Sequence, residues 1–214
     1  MAPRCQSLHA LLTTAARTGA NAGKLKERRQ GGLSWQSAKP TALLLADHQI
    51  RDLCKQGMVV PYNEELLNPA SLDVTLGSTI LVEVEHTPEL QILEINQYSQ
   101  ADPFWVAPGE FFLAETMEMF FMPANVGAQF VLKSSRAREG WDHAEAGWCD
   151  PSWTGSRLTM ELKNGRRYHS LAIWPGMKIG QMKFVLVDQL PEVGYDKKGN
   201  YNGDSGVTAS RGHL

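Results

Sequence analysis

From residue 58 onward, apolar and polar positions alternate in short runs. MVVPY, SLDVTLG, TILVEVE, LQILEIN, EFFLAETMEM, VGAQFVL, RLTMELKN, HSLAIW and MKIGQMKFVLV carry the two-residue period of half-buried strands. PGE at 108–110, MPANVG at 122–127, NGRR at 164–167 and PGM at 175–177 supply turns between them. Just upstream, LLLADHQIRDLCKQG has a helical pattern. Asp47 is expected to cap a helix over His48–Gln56, with Ile50, Leu53 and Cys54 on one face and Gly57 at its end. Many short strands with regular turns predict a mainly β fold (sandwich, barrel or jelly roll) led by one short helix. Beyond Pro191 the alternation stops. VGYDKKGNYNGDSGVTASRGHL reads as a flexible tail that orders on a ligand.

Composition narrows this picture little, but charge divides it. The 214 residues, 43% hydrophobic and 21% charged, suit one domain with a core. No apolar run approaches the roughly 18 residues of a membrane span. Residues 1–43 form a basic extension: seven Lys or Arg (Arg4, Arg17, Lys24, Lys26, Arg28, Arg29, Lys39) stand against one acid, Glu27. Two readings of it stay open, a transit-like segment and a weakly ordered extension, the second being the plainer. The expected organisation is therefore an extension over 1–43, a β domain over 44–190 and a tail over 191–214. The body is acidic and the net charge is −2, which argues against nucleic acid as the main partner. Three scattered cysteines, Cys5, Cys54 and Cys149, fit a reducing, cytoplasmic setting and read as buried or incidental thiols.

Candidate chemistry gathers in KSSRAREGWDHAEAGWCDPSWTG, residues 133–155. His143-Ala144-Glu145 matches half of a zinc-deaminase signature, but the P-C-x-x-C half is missing, so zinc is not expected. Ser134 and Ser135 lie outside any G-x-S-x-G, which disfavours a serine nucleophile. Lys133, Ser134, Ser135, Arg136 and Arg138 put three cations and two hydroxyls within six residues, a mix that suits phosphate oxygens. From composition alone, a polar turn after VGAQFVL explains them equally well. Glu161 lies opposite Leu158, Met160 and Leu162 on its strand. It is either a solvated carboxylate or one placed at a subunit boundary for proton transfer.

The run from Leu44 to Arg211 resembles the dCTP deaminase branch of the dUTPase-like superfamily. The resemblance is spread over ADHQIRDLCKQGMVV, NPASLDVTLG, APGEFFLAETMEMFFMP, VGAQFVLKSSRAREG, AGWCDPSWTG, TMELKN, PGMKIGQMKF and GVTASR. It implies a dUTPase-like jelly roll of β-clip type, assembled as a homotrimer with active sites between subunits. It implies deamination of a deoxycytidine nucleotide without a protein-bound metal, Mg²⁺ being carried on the nucleotide phosphates. Carried onto this sequence, Glu161 is the general acid and base, and Ser134 with the backbone of Ala146 holds the attacking water. Lys133, Ser135 and Arg138 hold phosphates, Asp150 the deoxyribose 3′-hydroxyl. Tyr195 closes over the sugar, Gln181 supports the site near the base, and Trp148, Lys198, Asn200 and Asp204 complete the substrate contacts. The resemblance makes dCTP to dUTP the default reaction. AGWCDP has the form of some bifunctional members that also cleave dUTP; a nucleotide-binding regulator is a further alternative, and dTTP is a candidate feedback ligand.

Departures from the pattern fall mainly on the phosphate side. Lys133 replaces an arginine, losing bidentate geometry. The tail reads NYNGD where the family reads KYQGQ, so Asn200 replaces a lysine and Asp204 a glutamine. An aspartate near a triphosphate is repulsive unless Mg²⁺ or Lys197 and Lys198 compensate. These changes make dCMP a serious second substrate. One extra residue between Gly155 and Glu161 requires a β-bulge, since a simple slip would turn Glu161 to the opposite face.

Overall fold

The computed structural model describes residues 42–212; most of the basic extension lies outside these residues. β1 (Ala42–Leu44) pairs with the far end of the domain and leads into α1 (Asp47–Lys55). The helix begins one residue earlier than the pattern predicts. Ala46 is its cap residue and donates its N–H to Gln49 Oε1 at 3.0 Å, while Asp47 lies in the first turn. Ile50 and Cys54 are buried, Leu53 packs at the edge of the core, and Gly57 takes φ +96° just past the end.

The strands follow the alternation closely. They are β2 (Val59–Val60), β3 (Leu67–Asn68), β4 (Ser71–Val84), β5 (Thr87–Glu94), β6 (Phe104–Val106), β7 (Phe111–Phe121), β8 (Val126–Leu132), β9 (Trp141–His143), β10 (Trp148–Cys149), β11 (Thr154–Asn164), β12 (Leu171–Ile173) and β13 (Lys178–Val187). All but two lie in one curled antiparallel sheet whose main path runs β10-β8-β13-β4-β7-β11-β9; β12 and β6 pair separately. Its two inner faces enclose Leu76, Ile80, Phe112, Phe120, Met160, Leu162 and Phe184, all nearly inaccessible to solvent.

Two predicted strands, SLDVTLG and TILVEVE, are one. β4 pairs with β13 through Leu72–Thr75 and with β7 and β5 beyond Leu76, so it carries the chain from one half of the sheet to the other. Gly77 marks this transfer rather than a turn. A Cβ there would sit 2.5 Å from Glu115 Cγ, so the missing side chain makes room for a buried carboxylate. Glu118, also on β7, spans the same irregularity: its Oε2 accepts from Thr75 N at 2.9 Å and its Oε1 from Thr75 Oγ1 at 2.7 Å. These two bonds tie β7 to the point where β4 leaves regular pairing.

SSRARE forms a short helix, α2 (Ser134–Glu139), where a polar turn competed in the sequence. Gly140 ends it at φ +111°. The tail contains one helical turn, α3 (Tyr195–Lys198), and then runs back across β11. Tyr201 O accepts from Trp153 Nε1, Arg157 N donates to Asp204 O, and Thr208 N donates to Thr159 Oγ1. No helix among the described residues is long and apolar enough to cross a membrane.

Candidate active site

β11 carries the extra residue as an irregularity between Arg157 and Thr159 in its pairing with β7; a second lies between Thr154 and Ser156. The bulge restores the alternation beyond it. Leu158, Met160 and Leu162 are buried in the core, and Thr159 and Glu161 face the other way. Glu161 is thus half-buried on the outer face of β11, between β7 and the short edge strand β9, while its backbone O accepts from Ala144 N at 3.2 Å. Burial pushes its carboxyl above the usual range; a backbone hydrogen bond and nearby His143 pull it partly back.

A cavity of about 510 Å³ opens over this face. Glu161, Ala146, Trp148, Asp150, Tyr195 and Asp204 all line it, as do Arg157, Thr159 and Tyr201, three residues the sequence reading did not single out. Trp148 Nε1 donates to Asp150 Oδ1 at 2.9 Å, which fixes one oxygen of that exposed carboxylate. A neighbouring cavity of about 420 Å³ is shared by Asp150, Tyr195, Lys198 and Asn200. The tail therefore brings Tyr195 and Asp204 to the Glu161 cavity, and Lys198 and Asn200 to its neighbour, within one chain. Burial also pushes the Tyr195 hydroxyl upward, and this group accepts from Tyr201 N at 3.4 Å.

The other predicted residues are elsewhere. Lys133, Ser134, Ser135, Arg138 and Gln181 do not line the Glu161 cavity. Ser134, Ser135 and Arg138 are exposed on α2. Gln181 lies on β13, where its Oε1 accepts from Ser71 Oγ at 2.9 Å. Lys133 Nζ donates to Asp73 Oδ2 at 2.5 Å. Among the described residues, the lining of the Glu161 cavity thus holds the predicted carboxylates without the predicted cations Lys133 and Arg138.

Asp204 is compensated differently from expectation. Its partner is Arg211, with Nη2 2.6 Å from Oδ1, and the Arg211 guanidinium also donates to Asn200 O and stacks over Tyr201. Lys197 is instead paired with Asp196 at 2.9 Å. Sequence reasoning missed Arg211 because the pair closes within a tail that lacks periodicity. It also missed Glu115, a buried carboxylate whose Oε2 accepts from Val207 N at 3.0 Å and so holds the tail from below. The two cysteines within the described residues, Cys54 and Cys149, are buried thiols pushed up to about 12 by burial.

The curled sheet, crossed by its own tail, has the dUTPase-like fold. 2′-deoxycytidine 5′-triphosphate deaminase from Agrobacterium tumefaciens shares it with a TM-score of 0.57 at 22% identity, over 69% of this chain and 49% of that one. Family membership comes from sequence. Residues 44–187 match the dCTP deaminase-like family model, and this chain belongs to that family. It is similar to proteins named dCTP deaminase, dUMP-forming: 34% identical over 188 residues to that of Clavibacter michiganensis subsp. michiganensis, and 32% over 186 to that of Corynebacterium efficiens. Each alignment covers 80% of this chain, and 92% and 95% of the respective relative.

Proposed function

We propose that this protein deaminates dCTP and releases dUMP, so that dUMP replaces dUTP as the default product. The observation that carries the reading is Glu161: a half-buried carboxyl, raised by burial, in one cavity with Asp150. A carboxyl held above its usual range suits both halves of a proton relay near neutral pH. As carboxylate, Glu161 takes a proton from water while the hydroxide forms a bond to C4 of cytosine and the C4=N3 π pair moves onto N3. It then delivers that proton to the exocyclic amine; the C4–N bond breaks to release ammonia as the N3 pair re-forms C4=N3, and transfer of the 4-hydroxyl proton to N3 leaves uracil. Asp150, with one oxygen held by Trp148, keeps its second oxygen for the sugar. It also serves as the base for water that attacks the α-phosphorus and expels pyrophosphate. The relatives' dUMP-forming names support this second step.

The phosphates require a second chain. The Glu161 cavity is lined by Asp150, Glu161 and Asp204, and the one cation in its wall among the described residues, Arg157, already donates to Thr116 O and Met117 O at 2.8 and 2.7 Å. A triphosphate placed there on one chain meets mostly like charge. Lys133, Ser135 and Arg138 of a neighbouring copy supply the missing charge. Ser134 of that copy, with the backbone of Ala146, holds the attacking water. The family resemblance makes the assembly a homotrimer. Mg²⁺ enters on the nucleotide's own phosphates. Because Arg211 neutralises Asp204, the tail no longer argues for a monophosphate, and dCTP is preferred over dCMP. dTTP, with the same sugar and phosphates, competes for the same site.

Separation of products from dCTP, dCMP and dUTP, with and without chelator, tests this reading, with Glu161→Gln as control. The expected result is dUMP from dCTP, lost about 10²- to 10⁴-fold in the variant. Cleavage of dUTP with no deamination of either cytidine nucleotide overturns it.

A further inference from the structure

We propose that Lys178 is a further phosphate-binding cation of this site, set beside Lys133 by the buried carboxylate of Asp73; the inference rests on the nucleotide-deaminase reading above. Nothing in the linear sequence joins these residues. Lys178 opens β13, Asp73 lies within β4, and Lys133 follows β8. The sheet brings them together. β13 pairs with β4 so that Lys178 stands opposite Thr75, two residues from Asp73. On its other side, Lys133 N donates to Ile179 O at 3.1 Å, which sets the start of the KSSRAR segment against Lys178.

Asp73 is the centre of the arrangement. It is 3% exposed, so each of its oxygens needs a partner. Oδ1 accepts from Asn68 Nδ2 at 2.8 Å. Oδ2 accepts from Lys133 Nζ at 2.5 Å and has Lys178 Nζ at 4.0 Å. One carboxylate therefore faces two ammonium groups, and among the described residues the cluster keeps one uncompensated positive charge. Lys178 holds the weaker share of Asp73, and its only other partner among the described residues is Glu65 O at 3.4 Å. Its side chain is 47% exposed, against 26% for Lys133. The free charge is thus on Lys178.

This geometry answers the replacement of an arginine by Lys133. A guanidinium offers a planar fork of donors, whereas one ammonium is a point charge. Two ammonium groups oriented by a shared buried carboxylate restore two separate donors to one anion. Asp73 also restricts Lys133 before any ligand arrives, which reduces the rotamer entropy lost on binding. The class of ligand is an oligophosphate, the part of the nucleotide that the acidic Glu161 cavity disfavours.

The test uses the full chain, with Lys178→Gln, Lys178→Arg and wild type compared at fixed ionic strength. Steady-state deamination of dCTP is measured together with calorimetric binding of inorganic tripolyphosphate and a thermal melt. A charge-assisted bond to phosphate contributes about 1.5–3 kcal/mol, or roughly 10- to 150-fold. Lys178→Gln is expected to weaken tripolyphosphate binding and raise KM for dCTP by that factor, with kcat changed less than about threefold. Lys178→Arg is expected to recover most of the loss. If Lys178→Gln binds tripolyphosphate and dCTP within about twofold of wild type, the residue is only a counter-ion for Asp73 and the proposal fails. Wild type that deaminates no cytidine nucleotide, yet binds tripolyphosphate in a Lys178-dependent way, refutes the deaminase reading and leaves the anion site standing.

Discussion

Replacing Arg211 with Met tests how far the Asp204–Arg211 ion pair holds the tail over the Glu161 cavity. Arg211 Nη2 lies 2.6 Å from Asp204 Oδ1; the Arg211 side chain is 47% exposed, and that of Asp204 only 12%. Asp204 Oδ2 is buried without a partner among the described residues. A fully exposed pair contributes about 0–1 kcal/mol, while breaking a buried one costs roughly 3–5 kcal/mol. With one partner buried and the other half in water, about 1–3 kcal/mol is expected, a roughly 5- to 150-fold shift toward the undocked tail. Amide hydrogen exchange reads this directly at Gly203, Val207 and Thr208, whose N–H groups donate to Thr154 O, Glu115 and Thr159. Exchange over 201–208 should accelerate by that factor, and KM for dCTP should rise in parallel. The double variant Asp204→Asn/Arg211→Met should be less impaired than Arg211→Met alone, because the uncompensated charge has gone. Exchange within about twofold of wild type, or simple additivity in the double variant, refutes the clasp.

Other expectations follow from buried carboxyls. Glu118 is 2% exposed, and burial raises its pKa despite two bonds from Thr75. Its contribution to stability is therefore complete below the unfolded value of about 4.3 and is lost as pH rises through the higher folded value. Glu118→Gln keeps both Thr75 contacts without the charge. It should raise stability at pH 7 by something on the order of 1 kcal/mol, with the gain disappearing in acid; denaturant titrations at several pH values check this. Gly77→Ala puts a Cβ 2.5 Å from Glu115 Cγ, so unfolding free energy should fall by roughly 1–3 kcal/mol and Val207 should exchange faster. Because burial raises the Glu161 carboxyl, kcat/KM for dCTP should fall with decreasing pH while still above the ordinary carboxylate range. A profile flat down to about pH 4.5 contradicts Glu161 as the base.

What could be read from the sequence was whatever alternation controls. The orientation of Glu161 followed from its apolar neighbours on β11, and the need for a bulge followed from one surplus residue, because period-two geometry leaves no other way to keep that face. The fusion of two predicted strands into β4 was hidden because glycine serves both in turns and where another group approaches closely. Only the fold shows that Gly77 makes room for Glu115. Glu115 and Glu118, three residues apart, fall on opposite sides of a period-two strand, and alternation alone marked neither as buried; β7 is covered on both faces, by the core and by the returning tail. Arg211 and Lys178 were missed for a different reason. Their partners, Asp204 and Asp73, are chosen by tail docking and by strand order, neither of which leaves a periodic mark. The KSSRAR segment was legible as chemistry but not as location: its residue types suit phosphate wherever the fold puts them. That it lies apart from Glu161 on one chain is a property of topology, and this separation of charge is the physical ground for the proposed sharing of the site between copies of the chain.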